Sequence, residues 1–154
     1  MLRISRLTDY ATVLLARLAA DPARQCTAAE LAQATHIAQP TVSKLLKQLH
    51  RTGLVSSTRG LRGGYRLARP AEAITAAHIL DALEGPLALT ECSRRQSQCD
   101  IEQSCRTGRA WQRVSLAIRR SLESITLLEL SGLDGQPVHF PALERQTNAR
   151  RLAP

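Results

Sequence analysis

Three cysteines lie close together in the second half of the chain. Cys92, Cys99 and Cys105 are separated by six and five residues, and none of them forms the C-x2-C pair typical of structural zinc. Thiolates are ligands for iron–sulfur clusters, zinc and Cu(I). Three of them on one loop would leave one coordination position for a ligand from elsewhere. The spacing favours a metal or cluster site, with reactive redox thiols or unreactive loop cysteines as the alternatives.

The surroundings of these cysteines favour the thiolate form. Arg94, Arg95 and Arg106 lie beside them in sequence, and neighbouring cations stabilise a thiolate. The fourth cysteine, Cys26, stands apart from the cluster and is interpreted as a small, partly buried thiol. The N-terminus lacks the apolar stretch of a secretory signal, so we expect a cytoplasmic protein and no structural disulfides. No apolar run is long enough to span a membrane.

The positive charge is confined to the first half of the chain. The 154 residues carry a net charge of +8. Residues 1–70 hold 11 basic and 3 acidic side chains, whereas residues 71–154 hold 10 of each. Between residues 36 and 70 there are seven basic side chains and no acid. This asymmetry is typical of a surface that binds a polyanion such as nucleic acid.

The basic half has the pattern of a small DNA-binding domain. Apolar spacing predicts a helix over 7–20, and the capping box formed by Thr27 and Glu30 predicts a second over 28–35. Pro40 begins a third helix, which Gly53 ends. A glycine-rich turn then separates two β-prone segments, 54–58 and 65–67, as in a β-hairpin. Two helices followed by a basic hairpin predict a winged helix-turn-helix.

The third helix is the expected reading element, since the major groove admits one α-helix. Side chains in its first turns would reach base edges, and later ones would reach phosphates. The arginines of the hairpin tip suit the minor groove, and the tip glycines would let the backbone approach the DNA. The candidate DNA-binding residues are Thr41, Ser43, Lys44, Lys47, Gln48, Arg51, Arg59, Arg62, Gly63 and Gly64.

The second half combines a short helix over about 75–83, the cysteine loop and one long helix. Apolar residues at intervals of three and four predict that long helix over 108–131. Its stripe is buried either by a partner helix, which would make it a dimerisation helix, or by docking within the chain. The predicted organisation is a DNA-binding domain over 1–85, a cysteine loop over 86–107, the long helix, and a flexible tail over 132–154.

An enzyme is not expected. The sequence has no glycine-rich phosphate loop, no Ser/His/Asp order and no pair of carboxylates placed for acid–base chemistry. Its four histidines are scattered along the chain. We therefore expect a mainly α-helical binding protein with a small β-hairpin wing and no small-molecule substrate.

Several stretches resemble the winged-helix iron–sulfur regulators typified by IscR and NsrR, and most closely those that regulate the Suf iron–sulfur assembly system. The resemblance covers LTDYATVLLARLA at 7–19, the helix-turn-helix at 28–51, GLVSSTRGLRGGYRL at 53–67, and the cysteine loop running into Trp111. It implies a homodimer that binds a pseudo-palindromic operator in double-stranded DNA, most often as a repressor. It also implies a cluster on Cys92, Cys99 and Cys105, beside the dimerisation helix.

The IscR and NsrR branches of this family differ in the residue that supplies the fourth ligand of the cluster. In the IscR branch it is a histidine three residues after the last cysteine, where this chain has Gly108. In the NsrR branch it is an aspartate near the start of the first helix of the other subunit, a position that Asp9 matches. The resemblance thus implies Asp9 as a ligand, the alternative being a first-turn acid that complements the helix dipole.

Two cluster types and two hypotheses about the signal are compatible with these residues. The first cysteine gap is one residue longer than in both branches, which leaves nuclearity undecided: a [2Fe–2S] cluster is favoured and a [4Fe–4S] cluster is the alternative. A second hypothesis keeps the fold but makes the protein a thiol-redox or nitric-oxide-responsive regulator without an assembly-operon target.

Overall fold

The computed structural model describes residues 3–60, 63–90, 105 and 107–135. Helices and a single hairpin make up this part of the chain. In order, they are α1 (Arg6–Ala19), α2 (Ala28–Thr35), α3 (Gln39–Arg51), β1 (Val55–Thr58), β2 (Gly64–Leu67), a 3-10 turn (Ala71–Ala73), α4 (Ala76–Glu84), α5 (Gly108–Glu123) and α6 (Leu127–Ser131).

Helix α1 lies at the centre of the core and contacts α2, α3, α4, α6 and β2. Its inner face buries Ala11, Leu14, Leu15 and Leu18. The rest of the core is supplied by leucine, isoleucine, valine and alanine from the other elements. Since the sequence contains only four aromatic residues, aliphatic side chains fill this core.

Local capping signals determine where the helices of the basic half begin. Ser5 caps α1 and accepts a hydrogen bond from the backbone of Thr8. At α2 the capping box is formed in full: Thr27 Oγ1 accepts from the Glu30 amide at 3.2 Å, and the Thr27 amide donates to Glu30 Oε2 at 2.7 Å. His36, in the left-handed region with φ of 56°, ends α2 and turns the chain toward α3.

The hairpin is anchored to the segment that precedes α2. Strands β1 and β2 pair in antiparallel fashion, from Val55 opposite Leu67 to Thr58 opposite Gly64. Cys26 adds a further bridge to β2. The Cys26 amide donates to the Tyr65 carbonyl oxygen at 3.0 Å, and the Tyr65 amide donates to the Cys26 carbonyl oxygen at 2.8 Å. The position of the hairpin is therefore fixed by backbone hydrogen bonds on two sides.

The prediction of a single helix over 108–131 is wrong in one respect, because the structure divides this segment into two helices. Helix α5 ends at Glu123, and the next residues form an extended bridge in which the Ala76 amide donates to the Ile125 carbonyl at 2.8 Å. Thr126 and Glu129 then make a capping box that starts α6. Because these bonds compete with the α5 backbone ladder, Ile125 and Leu127 turn into the core, where they are buried.

These elements form a winged helix-turn-helix that is mainly α-helical with a two-stranded wing, as the sequence predicts. Helices α2 and α3 make the helix-turn-helix, and β1 with β2 makes the wing. In the described ranges, no helix is both long enough and apolar enough to cross a membrane.

Candidate nucleic-acid interface and cysteine site

Helix α3 separates an apolar face from a basic face. Val42, Leu45, Leu46 and Leu49 are buried against the chain. Of the side chains predicted to meet DNA, Lys44, Lys47 and Arg51 are exposed, whereas Thr41 and Ser43 are half-buried near the start of the helix. No acidic residue lies on this helix. Its outer face can therefore accept a phosphate backbone without charge repulsion.

Gln48 lies differently from the other α3 candidates. Its side chain is half-buried, and Nε2 donates a hydrogen bond to the carbonyl oxygen of Ala82 in α4 at 3.0 Å. The structure thus gives this side chain a partner inside the protein. Sequence reasoning missed this contact, because the position of α4 beside α3 follows from tertiary packing alone.

A cationic cleft of about 430 Å³ lies between α3 and the wing. The charged side chains that line it are lysine and arginine. An imidazole group and several hydroxyl groups lie beside them. The residues that line it are Thr27, Ala28, Lys47, His50, Arg51, Ser57, Thr58, Arg59, Gly64 and Tyr65. Lys47, Arg51 and Arg59, three of the predicted DNA-binding residues, thus come together at one surface. His50, which the sequence analysis did not name as a site residue, lines the same cleft.

The two predicted tip glycines have a structural reason inside the chain. A Cβ atom at Gly64 would lie 2.9 Å from the carbonyl oxygen of Cys26, and one at Gly63 would overlap the carbonyl oxygen of Thr58. Both are therefore required for the wing to close, whatever they do at DNA. Arg59 is exposed beside them, and Arg62 lies outside the described residues.

Cys105 lies just before the N-terminus of α5. Its Sγ is 3.3 Å from Thr107 Oγ1. This hydroxyl, followed by the backbone amides of Thr107 and Gly108, lowers the pKa of the Cys105 thiol from its ordinary value. Hydrogen bonds to sulfur at a helix N-terminus stabilise the thiolate, which is the form that binds metals and reacts with oxidants.

The other predicted cluster ligands are only partly visible. Cys92 and Cys99 lie outside the described residues, and within the described ranges no group of three side chains could hold a metal. Asp9 is exposed in the first turn of α1. The half-buried Cys105, whose thiol pKa is lowered, is a donor that fits an iron–sulfur cluster, and a carboxylate ligand at Asp9 is implied by the resemblance alone. The assignment of all four ligands stays a prediction.

Cys26 is buried, in agreement with its interpretation as a small packing thiol. Its backbone, and not its sulfur, holds the wing through the pairing with Tyr65.

Helix α5 exposes apolar side chains in its first half and at its midpoint. Trp111, Val114 and Leu116 are exposed by 47%, 42% and 53%, while the buried residues of the helix are only Gly108 and Ser115. The helix is held to α4 by an ion pair between Arg119 and Asp81, at 2.7 Å from Nη2 to Oδ2.

Comparison with known proteins gives a consistent result. The sequence profile of the Rrf2 family, described as iron-dependent transcriptional regulator, matches residues 4–132. A protein of Haemophilus influenzae assigned as an HTH-type transcriptional regulator is 35% identical over 102 residues, which is 66% of this chain and 67% of that protein.

Two solved structures share the fold. CymR (YrzC), the global cysteine regulator of B. subtilis, aligns with a TM-score of 0.67 and 28% identity over 86% of this chain and 98% of its own. IscR of T. potens aligns with a TM-score of 0.63 and 27% identity over 88% and 89%. Like the match over 4–132, both alignments extend over most of this chain, beyond the helix-turn-helix alone.

Proposed function

Because the chain belongs to the Rrf2 family of transcriptional regulators, we propose that it is a homodimeric, cytoplasmic repressor whose DNA binding depends on an iron–sulfur cluster. One observation carries the proposal: a cysteine whose thiol pKa is lowered lies just before the helix that exposes Trp111, Val114 and Leu116. The candidate signal site is therefore adjacent in sequence to the candidate dimer surface.

Binding of operator DNA is supported by the basic face of α3 and the cationic cleft beside the wing. In this proposal Thr41, Ser43 and Lys44, near the start of the helix, reach base edges, and the exposed Lys47 and Arg51 further along bind phosphates. Arg59, with Arg62, extends the contact to the minor groove.

A homodimer is supported by the exposed residues of α5. Trp111 and Val114 lie about one turn apart on one face of the helix. Exposed apolar side chains that share a face mark an interaction site, and a second copy of the helix is their simplest match. A two-fold dimer would place two α3 helices on a pseudo-palindromic operator.

The cluster would be held by Cys92, Cys99 and Cys105 of one subunit and Asp9 of the other. When bound, a [2Fe–2S] cluster (the alternative being [4Fe–4S]) supplies a redox-active centre that oxidants, nitric oxide or iron shortage can alter. In this chain, the Thr107 hydroxyl and the backbone amides of Thr107 and Gly108 lower the pKa of the Cys105 thiol, which favours its thiolate form. Repression of Suf-type assembly genes by the cluster-loaded form would close a feedback loop.

Anaerobic purification followed by iron and sulfide quantification tests the cluster. We expect a coloured wild-type protein that contains both elements, near-complete loss of both in Cys105→Ser, and retention in the control Cys26→Ser. Asp9→Ala should change the visible or magnetic spectrum. Iron-free wild-type protein, or a Cys105→Ser variant that keeps its cluster, would contradict the proposal.

A thiol-based regulator with the same fold is the second candidate. The lowered pKa of Cys105 that suits a metal ligand also suits a sulfur that reacts with oxidants, and one structural relative is named a global cysteine regulator. A colourless protein whose DNA affinity changes on reversible thiol oxidation would favour this candidate. The promoter upstream of the protein's own gene and a Suf-type promoter are the DNA fragments to compare.

A further inference from the structure

The last turn of α4, residues 81–84, makes polar contacts with three different helices. The first contact is to α5. Asp81 accepts two hydrogen bonds from the Arg119 guanidinium, at 2.7 Å and 3.1 Å, and Arg119 Nε also donates to Glu123 at 2.9 Å. A two-pronged arginine–carboxylate pair fixes direction as well as distance.

The second contact is to the recognition helix α3. The carbonyl of Ala82 is one of the last four of α4, which have no partner within the helix. Gln48 supplies that partner, with Nε2 at 3.0 Å from the carbonyl oxygen. Through this bond, α3 is tied to the same helical turn that α5 contacts.

The third contact is to the start of α1. Glu84 Oε1 accepts from Thr8 Oγ1 at 2.6 Å and from the Ser5 amide at 2.9 Å. Thr8 directly precedes Asp9, and its side chain is buried.

We propose that the last turn of α4 is a relay that sets the position of α3, with Gln48 and Arg119 as positioning residues. Helix α1, which contains Asp9, and helix α5, which Cys105 precedes, both attach to it, and so does the recognition helix. The identity of the signal rests on the proposed function. The mechanical link between α5 and α3 does not.

The wing is the part of the domain relative to which this relay would move α3. Because the wing is bound to the segment before α2 through Cys26 and Tyr65, a displacement of α4 would move α3 relative to the wing and change the cleft between them. A signal shifts such an equilibrium only through differential stabilisation of two states. The coupling is reciprocal, so DNA bound at α3 must also affect α5.

Hydrogen exchange of the full-length protein tests that reciprocity. The probe is a duplex that the wild-type protein selects from a random pool. We expect DNA to slow amide exchange in both α3 and α5 of the wild type. With each variant saturated with the duplex, the slowing should persist in α3 and be lost in α5 of Arg119→Met, and the α5 response should likewise be lost in Gln48→Met. Arg119→Lys should recover part of it, because it keeps the charge opposite Asp81.

The adjacent exposed arginine provides the matched control. Arg120→Met removes the same charge from the same helix and should behave as the wild type. Unfolding midpoints of all variants show whether a variant has merely lost stability, which would raise exchange with and without DNA alike. Persistence of the α5 response in both Gln48→Met and Arg119→Met would overturn the relay.

The iron-loaded protein supplies a second readout. If occupancy is the signal, the ratio of cluster-loaded to cluster-free affinity should fall toward one in Arg119→Met and stay at the wild-type value in Arg120→Met. Failure to select any duplex would contradict DNA binding itself. If the anaerobically purified wild-type protein contains no iron but its α5 still responds to DNA, the cluster proposal is contradicted and the relay proposal is supported.

Discussion

Helices α3 and α5 are both amphipathic, yet only α3 buries its apolar face within the chain. Val42, Leu45, Leu46 and Leu49 of α3 lie in the core, whereas Trp111, Val114 and Leu116 of α5 are exposed. The basic half is thus complete in a single subunit, and α5 is not. The difference shows that the basic face is completed within one chain, whereas α5 leaves apolar side chains uncovered.

The largest effect is expected when the exposed face of α5 is made acidic. Trp111→Glu combined with Val114→Glu should convert the dimer to a monomer in analytical ultracentrifugation, because buried charge without a partner is strongly unfavourable. Truncation of an aromatic anchor at an interface commonly costs about 2 kcal/mol or more. Operator affinity should fall by on the order of 100-fold, since one half-site is lost.

The control for this change is Arg113→Glu, an equally acidic substitution at an exposed position of the same helix. It should leave the dimer intact. A dimeric double variant would show that the α5 face is not the interface and would break the contrast with α3.

A second prediction concerns the self-contained basic half. Gly64→Ala places a Cβ atom 2.9 Å from the backbone of Cys26, so either the wing or the preceding segment must shift. We expect a loss of about 1–3 kcal/mol in the free energy of unfolding by urea. Ser57→Ala, at an exposed position of the same wing, should stay within about 0.5 kcal/mol of the wild type. Equal stabilities would show that the wing is not anchored at Cys26.

A third prediction separates the wing tip from the rest of the basic surface. Arg59→Ala should weaken operator binding and reduce the slope of log affinity against log salt by about one, as for the loss of one phosphate contact. Arg17→Ala removes an equal charge from α1, outside the cleft, and should leave the slope unchanged. An unaltered slope in Arg59→Ala would exclude Arg59 from the interface.

The two halves also differ in how far their structure follows from the sequence. The basic half is specified by local signals: the capping box at Thr27, Pro40 at the start of α3 and the glycines of the hairpin. In the second half, the apolar spacing continues through Ile125 although α5 has ended. The capping box formed by Thr126 and Glu129 indicates in the sequence that a new helix starts there. It is of the same kind as the capping box that predicts the start of α2.

Other features could not be read from the sequence, because they depend on which elements pack together. The hydrogen bond from Gln48 to α4 and the pair between Arg119 and Asp81 each join segments more than 30 residues apart. Resemblance, and not residue spacing, was needed to propose Asp9 as a ligand.

The smallest predicted effect tests the contact between α4 and α1. Hydrogen bonds from Thr8 and Ser5 lower the pKa of Glu84, so its stabilising contribution is complete above the ordinary glutamate range and is lost as the pH falls through the lowered value. Because Glu84 is exposed, we expect Glu84→Gln to cost less than about 1 kcal/mol at pH 7. In urea unfolding at neutral and acidic pH, the variant should lose less stability on acidification than the wild type or the control Glu72→Gln. Identical losses in all three proteins would mean that the carboxylate does not hold α1 to the relay turn.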